Sequence, residues 1–212
     1  MEVLVAGGHG QIALRLLKLL SEHDHHARGL IRNPAHADDL EAVGAEAVLC
    51  DLETDDPHQH VGSAQAIVFA AGAGPGSGPE RKRTVDLGGA VKLIDAARDL
   101  GVARYVMVSA MGTQDVDHAS EAMRPYLQAK KDADDALMAS GLDWTIVRPG
   151  RLTDAPGAGT VEAARALGRR GEITRVDTAL VLLETLVRPS LARVAFDVLE
   201  GPTPVGEALD AL

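Results

Sequence analysis

Cysteine occurs once, as Cys50, so no intramolecular disulfide framework can hold this chain together. Aromatic residues are also scarce, at 2% of 212 residues, while apolar residues as a whole reach 46%. The core must therefore be built from Ala, Val, Leu and Ile, which suits Ala-faced helices lying on a Val/Ile-rich sheet. No apolar run approaches the ~18 residues of a membrane span, so no membrane is expected as a partner. Cations are outnumbered, and the formal net charge is −10. A phosphodiester backbone would be repelled, since the one basic run is Arg81-Lys82-Arg83, and nucleic acid is not an expected partner. The first strand begins at Glu2, leaving no room for a leader ahead of it, and the expected location is cytoplasmic.

What is present is an alternation of two apolar patterns. Short β-branched runs lie at Val3–Ala6, Ala27–Ile31, Ala47–Cys50, Ala66–Ala70, Arg104–Ser109 and Thr145–Arg148. Several are apolar throughout, as strands buried on both faces are. Helical stretches fall between them at Gln11–Leu20, Asp38–Val43, Arg83–Leu100 and Pro125–Ala139. This alternation predicts right-handed βαβ crossovers, hence an α/β fold with a Rossmann-type, doubly wound parallel sheet. One domain is expected over 1–212, with residues 1–150 as the cofactor-binding core. Residues 151–212 are read as a small substrate-side lobe beside the strand ends, with a helix at Thr178–Val187, a strand at Val194–Leu199 and a final helix at Thr203–Leu212.

The first strand runs into Gly7-Gly8-His9-Gly10-Gln11-Ile12-Ala13, and Gln11 opens the first helix. Glycines permit positive φ and let backbone approach a pyrophosphate, whose charge meets the helix N-terminus. The motif alone is weak; between a strand and a helix it points to a dinucleotide. At the end of the second strand an NAD site would carry an acid for the ribose 2′-hydroxyl. The sequence offers Arg32 there instead, which can fork onto a 2′-phosphate, so NADP is the expected cofactor and NADPH is preferred over NADH. Asp51 and the Leu52 amide follow the third strand and are placed to reach the adenine. Ala70, Ala71 and Gly72 follow the fourth, where small residues let the chain pass close to the cofactor. Each has a plainer alternative: Arg32 and Asp51 would be solvated residues at strand ends.

One of only two tyrosines begins Tyr126-Leu-Gln-Ala-Lys130. In a helix from Pro125, positions 126, 130, 133 and 137 share a face, so Lys130 should point inward with Ala133 and Leu137. An ammonium one turn from a phenol favours the phenolate and eases proton exchange near neutral pH, and it can also donate to ribose hydroxyls. Ser109 ends the fifth strand on the carboxyl side, where it would orient a carbonyl oxygen beside Tyr126 or cap the following turn.

These residues together resemble the atypical short-chain dehydrogenase/reductases. The branch is similar to the small NAD(P)-binding proteins of NAD-dependent epimerase/dehydratase, or NmrA-like, type. The glycine turn, Arg32, Asp51-Leu52, Ser109, Tyr126-x-x-x-Lys130 and Val147-Arg148-Pro149-Gly150 carry the likeness over nearly the whole chain. The resemblance implies a Rossmann fold, NADP binding with Lys130 and Pro149 in the cofactor site, and a catalytic set of Ser109, Tyr126, Lys130 and a fourth residue. That fourth position is usually Asn, and Asp86 stands at the matching place. An acid there accepts hydrogen bonds but cannot donate as an amide does.

Two clusters, His23-Asp-His-His26 and Asp55-Asp-Pro-His-Gln-His60, lack a convergent second ligand set, and no metal is expected. The run Asp132-Ala-Asp-Asp135 reads as a solvated helix face. The expected function is an NADPH-dependent oxidoreductase of a small carbonyl substrate, with the Gly/Pro loop at 72–79 as a lid. The alternatives are a non-catalytic NADP(H) redox sensor and an epimerase or dehydratase with tightly held cofactor. A homodimer is compatible with the sequence, since no helix shows a surplus apolar face that decides the matter.

Overall fold

A computed structural model describes residues 1–74 and 76–212 of the chain. Six parallel strands form the centre: β1 (Glu2–Ala6), β2 (His26–Ile31), β3 (Glu46–Leu49), β4 (Ala66–Phe69), β5 (Arg104–Val108) and β6 (Asp143–Pro149). Their order is β3-β2-β1-β4-β5-β6, reversing direction of growth at β1. The crevice at the carboxyl ends of β1 and β4 is where ligands of open α/β sheets bind.

The helices are α1 (Gln11–Glu22), α2 (Ala37–Glu41), α3 (His58–Val61), α4 (Pro79–Arg81), α5 (Ala90–Asp99), α6 (Arg124–Ala139), α7 (Arg175–Leu186) and α8 (Val205–Asp210). They cover both faces of the sheet, and the strand alternation divides the core accordingly. Val3, Val5, Val68, Val106 and Val147 face Leu16, Leu17, Leu20 and Leu182 on α1 and α7. Leu4, Ile67, Phe69, Tyr105 and Ile146 face Leu93, Ala96, Ala97, Ala133 and Leu137 on α5 and α6. Val3, Leu4 and Val5 are fully buried, which is why β1 shows no polar alternation.

Three observations differ from the periodicity reading. The expected helix over 83–100 is wound as a π-helix over Lys82–Gly89 before becoming α5. This widened turn carries Asp86, and π segments often mark functional places. Residues 151–172 hold strands where no element was assigned: β7 (Arg151–Thr153) pairs with β9 (Glu172–Thr174), and β8 (Thr160–Ala164) pairs antiparallel with β10 (Val194–Glu200). β10 itself lies parallel to β6, so the C-terminal residues extend the main sheet. At the end of the chain, β11 (Thr203–Pro204) is taken up by pairing with β8, so α8 begins only at Val205, with Pro204 as its N-cap.

Candidate active site

The glycine turn is shaped by how near it runs to neighbouring backbone. Gly7 has φ +77, and a Cβ there would lie 2.7 Å from Ala71 Cα and 2.9 Å from Ala71 N. Gly8 passes Gly29 of β2 so closely that a Cβ would fall 2.9 Å from its Cα. The Gly8 amide donates to Leu30 O at 2.8 Å and the Gly10 amide to Gly7 O at 2.7 Å, which fixes the turn. Gly10 then caps α1 with extended backbone and no side-chain cap. Its first amides are therefore free for an anion. Gln11 is exposed, Ile12 is half-buried against the core, and Ala13 is fully buried where a third glycine is usual.

A cleft of about 310 Å3 opens from this turn along the ends of β2, β3 and β4, lined by His9, Arg32, Asp51, Ala71 and Arg81, among others. This cradle fits a dinucleotide: its floor is glycine backbone that a single added carbon would block. A second depression of about 350 Å3, around Thr54, His58, Lys92 and Asp95, shares no lining residue with it. Ala70 and Gly72 also line the cleft, as do Leu52 and Cys50. Burial pushes the Cys50 thiol up to about 11, so it stays a neutral, inert wall. Asp51 Oδ1 accepts the Glu53 amide at 3.0 Å, and the Asp51 amide donates to Asp55 Oδ2 at 2.8 Å, so this residue shapes the turn while facing the cleft.

At the end of β2, Arg32 is 56% exposed and its Nη1 lies 3.9 Å from Glu53 Oε2. The sequence shows no acid beside Arg32 in the chain; the fold supplies Glu53 from the turn after β3. Arg81 reaches the same oxygen from α4, at 3.3 Å. His9 stacks on His36 with ring centroids 3.6 Å apart, and its Nε2 lies 2.8 Å from Asp39 Oδ2. Glu53, Arg81 and His36 were not singled out from the sequence, and only the Arg81-Lys82-Arg83 run hinted at one of them.

Lys130 points inward, and its ammonium is already engaged. Nζ donates to Val108 O at 3.1 Å and Ala71 O at 3.5 Å, and lies 3.3 Å from Asp86 Oδ1. Asp86 Oδ2 accepts the Ala73 amide at 3.1 Å. The pair thus ties together the ends of β4 and β5 and the π turn. Tyr126 is half-buried one turn earlier on α6, packed with Val116, Ala119 and Leu127.

Ser109 is buried, and its hydroxyl donates to Asp134 Oδ2 at 2.9 Å. Its partner is thus an aspartate on α6. The reading of 132–135 as a solvated face needs correction here: Asp134 is 1% exposed. It packs against Thr113 and Arg148, whose Nη2 lies 3.4 Å away. The spacing contained the signal, because Asp134 follows Lys130 by four residues and so shares its inward face. Burial raises the Asp134 carboxyl above its usual value, against the pull of Arg148, Ser109 and Lys130. Pro149 ends β6, its carbonyl accepting the Met111 amide at 3.2 Å. The lid assigned to 72–79 includes Pro75, which lies outside the described residues.

The NAD(P)H-binding family model matches residues 7–189. The chain belongs to that family. Among its relatives, the uncharacterized sugar epimerase YhfK of Bacillus subtilis (strain 168) is 43% identical over 216 residues, covering 100% of both chains. A Bacillus halodurans structure assigned as an NAD-dependent epimerase/dehydratase is 38% identical, with TM-score 0.97 and full coverage of both chains. The oxidoreductase ylbE from Lactococcus lactis is 25% identical with TM-score 0.89, over 100% of this chain and 96% of that one. This member of the NAD(P)H-binding family is accordingly a Rossmann-fold NAD(P)-binding protein. Among the described residues, no helix is long and apolar enough to cross a membrane.

Proposed function

We propose that the chain binds NADP(H), with NADPH preferred over NADH, and uses it as an oxidoreductase on a small carbonyl or related unsaturated compound. The observation that carries this reading is the ribose end of the cleft, where Arg32 and Arg81 converge with one carboxylate between them. Two guanidinium groups suit a phosphomonoester, whose oxygens accept forked hydrogen bonds. When bound, NADPH supplies a hydride to an electron-poor carbon. Tyr126 is the proton donor to the oxygen that becomes an alkoxide. Lys130 acts chiefly by fixing the carbonyls of Ala71 and Val108 that floor the site. Ser109 acts through Asp134, holding α6 against the end of β5.

Titration calorimetry with NADPH and NADH tests the cofactor, repeated for Arg32→Ala. Tighter NADPH binding that loses its preference in the variant supports the reading, whereas equal binding overturns it. A reductase assay on a carbonyl panel then tests Tyr126→Phe: lost turnover with intact NADPH affinity is expected, and unchanged turnover excludes Tyr126 as donor. The engaged donors of Ser109 and Lys130 favour a second reading, a redox sensor that binds NADP(H) without chemistry. Cofactor that binds but never turns over on that panel would establish it. An epimerase or dehydratase, the activity suggested by the names of two relatives, would retain nicotinamide through purification without net redox turnover.

A further inference from the structure

We propose that Glu53 is a specificity-determining residue: a built-in anion fixed between Arg32 and Arg81, against which a ribose 2′-phosphate must compete for the two guanidinium groups. This rests on the NADP(H) reading above and assigns the strength of phosphate selection to a residue outside the glycine motif.

Glu53 is held from three directions. Its amide donates to Asp51 Oδ1 at 3.0 Å, and its carbonyl accepts Lys92 Nζ at 3.0 Å. Its Oε1 accepts the Thr84 hydroxyl at 2.6 Å. The remaining oxygen, Oε2, faces Arg81 Nη2 at 3.3 Å, Arg81 Nε at 3.4 Å and Arg32 Nη1 at 3.9 Å. Arg32 comes from the end of β2 and Arg81 from α4, so one carboxylate joins two cations carried by separate elements. All three residues line the cleft beside Gly10 and His36.

The chemistry of this competition follows from charge. A carboxylate carries one negative charge, and a phosphomonoester about 1.5–2 at neutral pH with three acceptor oxygens. Two guanidinium groups and one carboxylate leave a single net positive charge. Phosphate therefore gains from the cations and is opposed by Glu53 at close range. Cofactor without the phosphate meets neither effect, and leaves the Glu53 bridge in place. Glu53 is only 27% exposed and anchored by Thr84, so it has little freedom to swing away.

Glu53→Gln removes the charge while keeping an acceptor oxygen for Thr84. Calorimetry should show NADPH and the fragment adenosine 2′-monophosphate binding about three- to tenfold tighter than to the natural chain. NADH and adenosine 5′-monophosphate should bind unchanged. Arg81→Ala should weaken the two 2′-phosphorylated ligands and leave the other two alone. Unchanged or weaker binding of the 2′-phosphorylated ligands by Glu53→Gln overturns the proposal, as does an equal gain for all four. If the natural chain shows no preference for NADPH over NADH, the underlying reading fails as well. A preference that persists with no gain in Glu53→Gln refutes the role of Glu53 alone.

Discussion

Replacing Lys130 by Met should destabilise the protein far more than a single polar truncation. Its side chain is 5% exposed and that of Asp86 is 1% exposed, with Nζ 3.3 Å from Oδ1. Met matches the length of the aliphatic stem but gives up the ammonium lying 5.8 Å from the Phe69 ring centroid, and the Asp86 carboxylate is left buried with Ala73 N as its remaining hydrogen-bond partner. Breaking a buried pair in this way costs about 3–5 kcal/mol. For a domain of this size each kcal/mol lowers Tm by about 2–4 °C, so a drop of roughly 6–20 °C is expected. Asp86→Asn keeps an oxygen for the Ala73 amide and leaves Lys130 its two carbonyls, at a cost of about 1–3 kcal/mol. With both changes made, the orphaned carboxylate is gone, and the double variant should be more stable than the sum of the two losses by at least about 1 kcal/mol. Urea unfolding of the four proteins at neutral pH closes the cycle. Losses that add within about 0.5 kcal/mol would refute the coupling, and with it the view that Lys130 is first a strut of the site. Should the coupling hold, low activity in a Lys130 variant must be corrected for lost fold before it is read as chemistry.

Three further outcomes follow from the same geometry. Gly7→Ala places a carbon against the backbone of Ala71 at positive φ, and NADPH binding by calorimetry should fall at least about tenfold; full affinity would mean the turn is not the pyrophosphate seat. Thr174 caps α7, accepting the Asp177 amide at 2.9 Å and donating to its carboxylate, so Thr174→Ala should cost about 0.5–2 kcal/mol in denaturant unfolding, and no change would show the cap to be idle. Burial raises the Asp134 carboxyl above its usual 3.8, so the folded chain keeps that proton to higher pH than the unfolded chain does. Relative to Asp134→Asn, the natural chain should thus lose stability as pH climbs from about 3.8 through the raised value, then level off. The opposite slope would show that the pull of Arg148 outweighs burial.

Much of the cofactor half was legible in the residues. Strands buried on both faces have no polar alternation, so Val3–Ala6 announced a parallel sheet before any pairing was known. Gly7, Gly8 and Gly10 form a local motif whose backbone demand is met within a few residues of sequence. Lys130 faces inward for the same local reason, being in register with Ala133 and Leu137 on one helix. The strand at Val194–Leu199 was legible from its apolar run, but the short strands before it were not, because β7 and β9 are three residues each and take their order from pairing with distant chain.

The sequence by itself determined the layered α/β plan, the place of the glycine turn and the arginine at the end of the second strand, because these depend on period and neighbours. Only the tertiary structure decided which charges meet. Glu53 and Arg81 stand 28 residues apart, Ser109 and Asp134 25, and nothing in their local surroundings selects the partner. Long-range pairing is set by sheet order and by burial, which makes an unpaired charge costly and leaves the folded chain to bring a counter-charge to it.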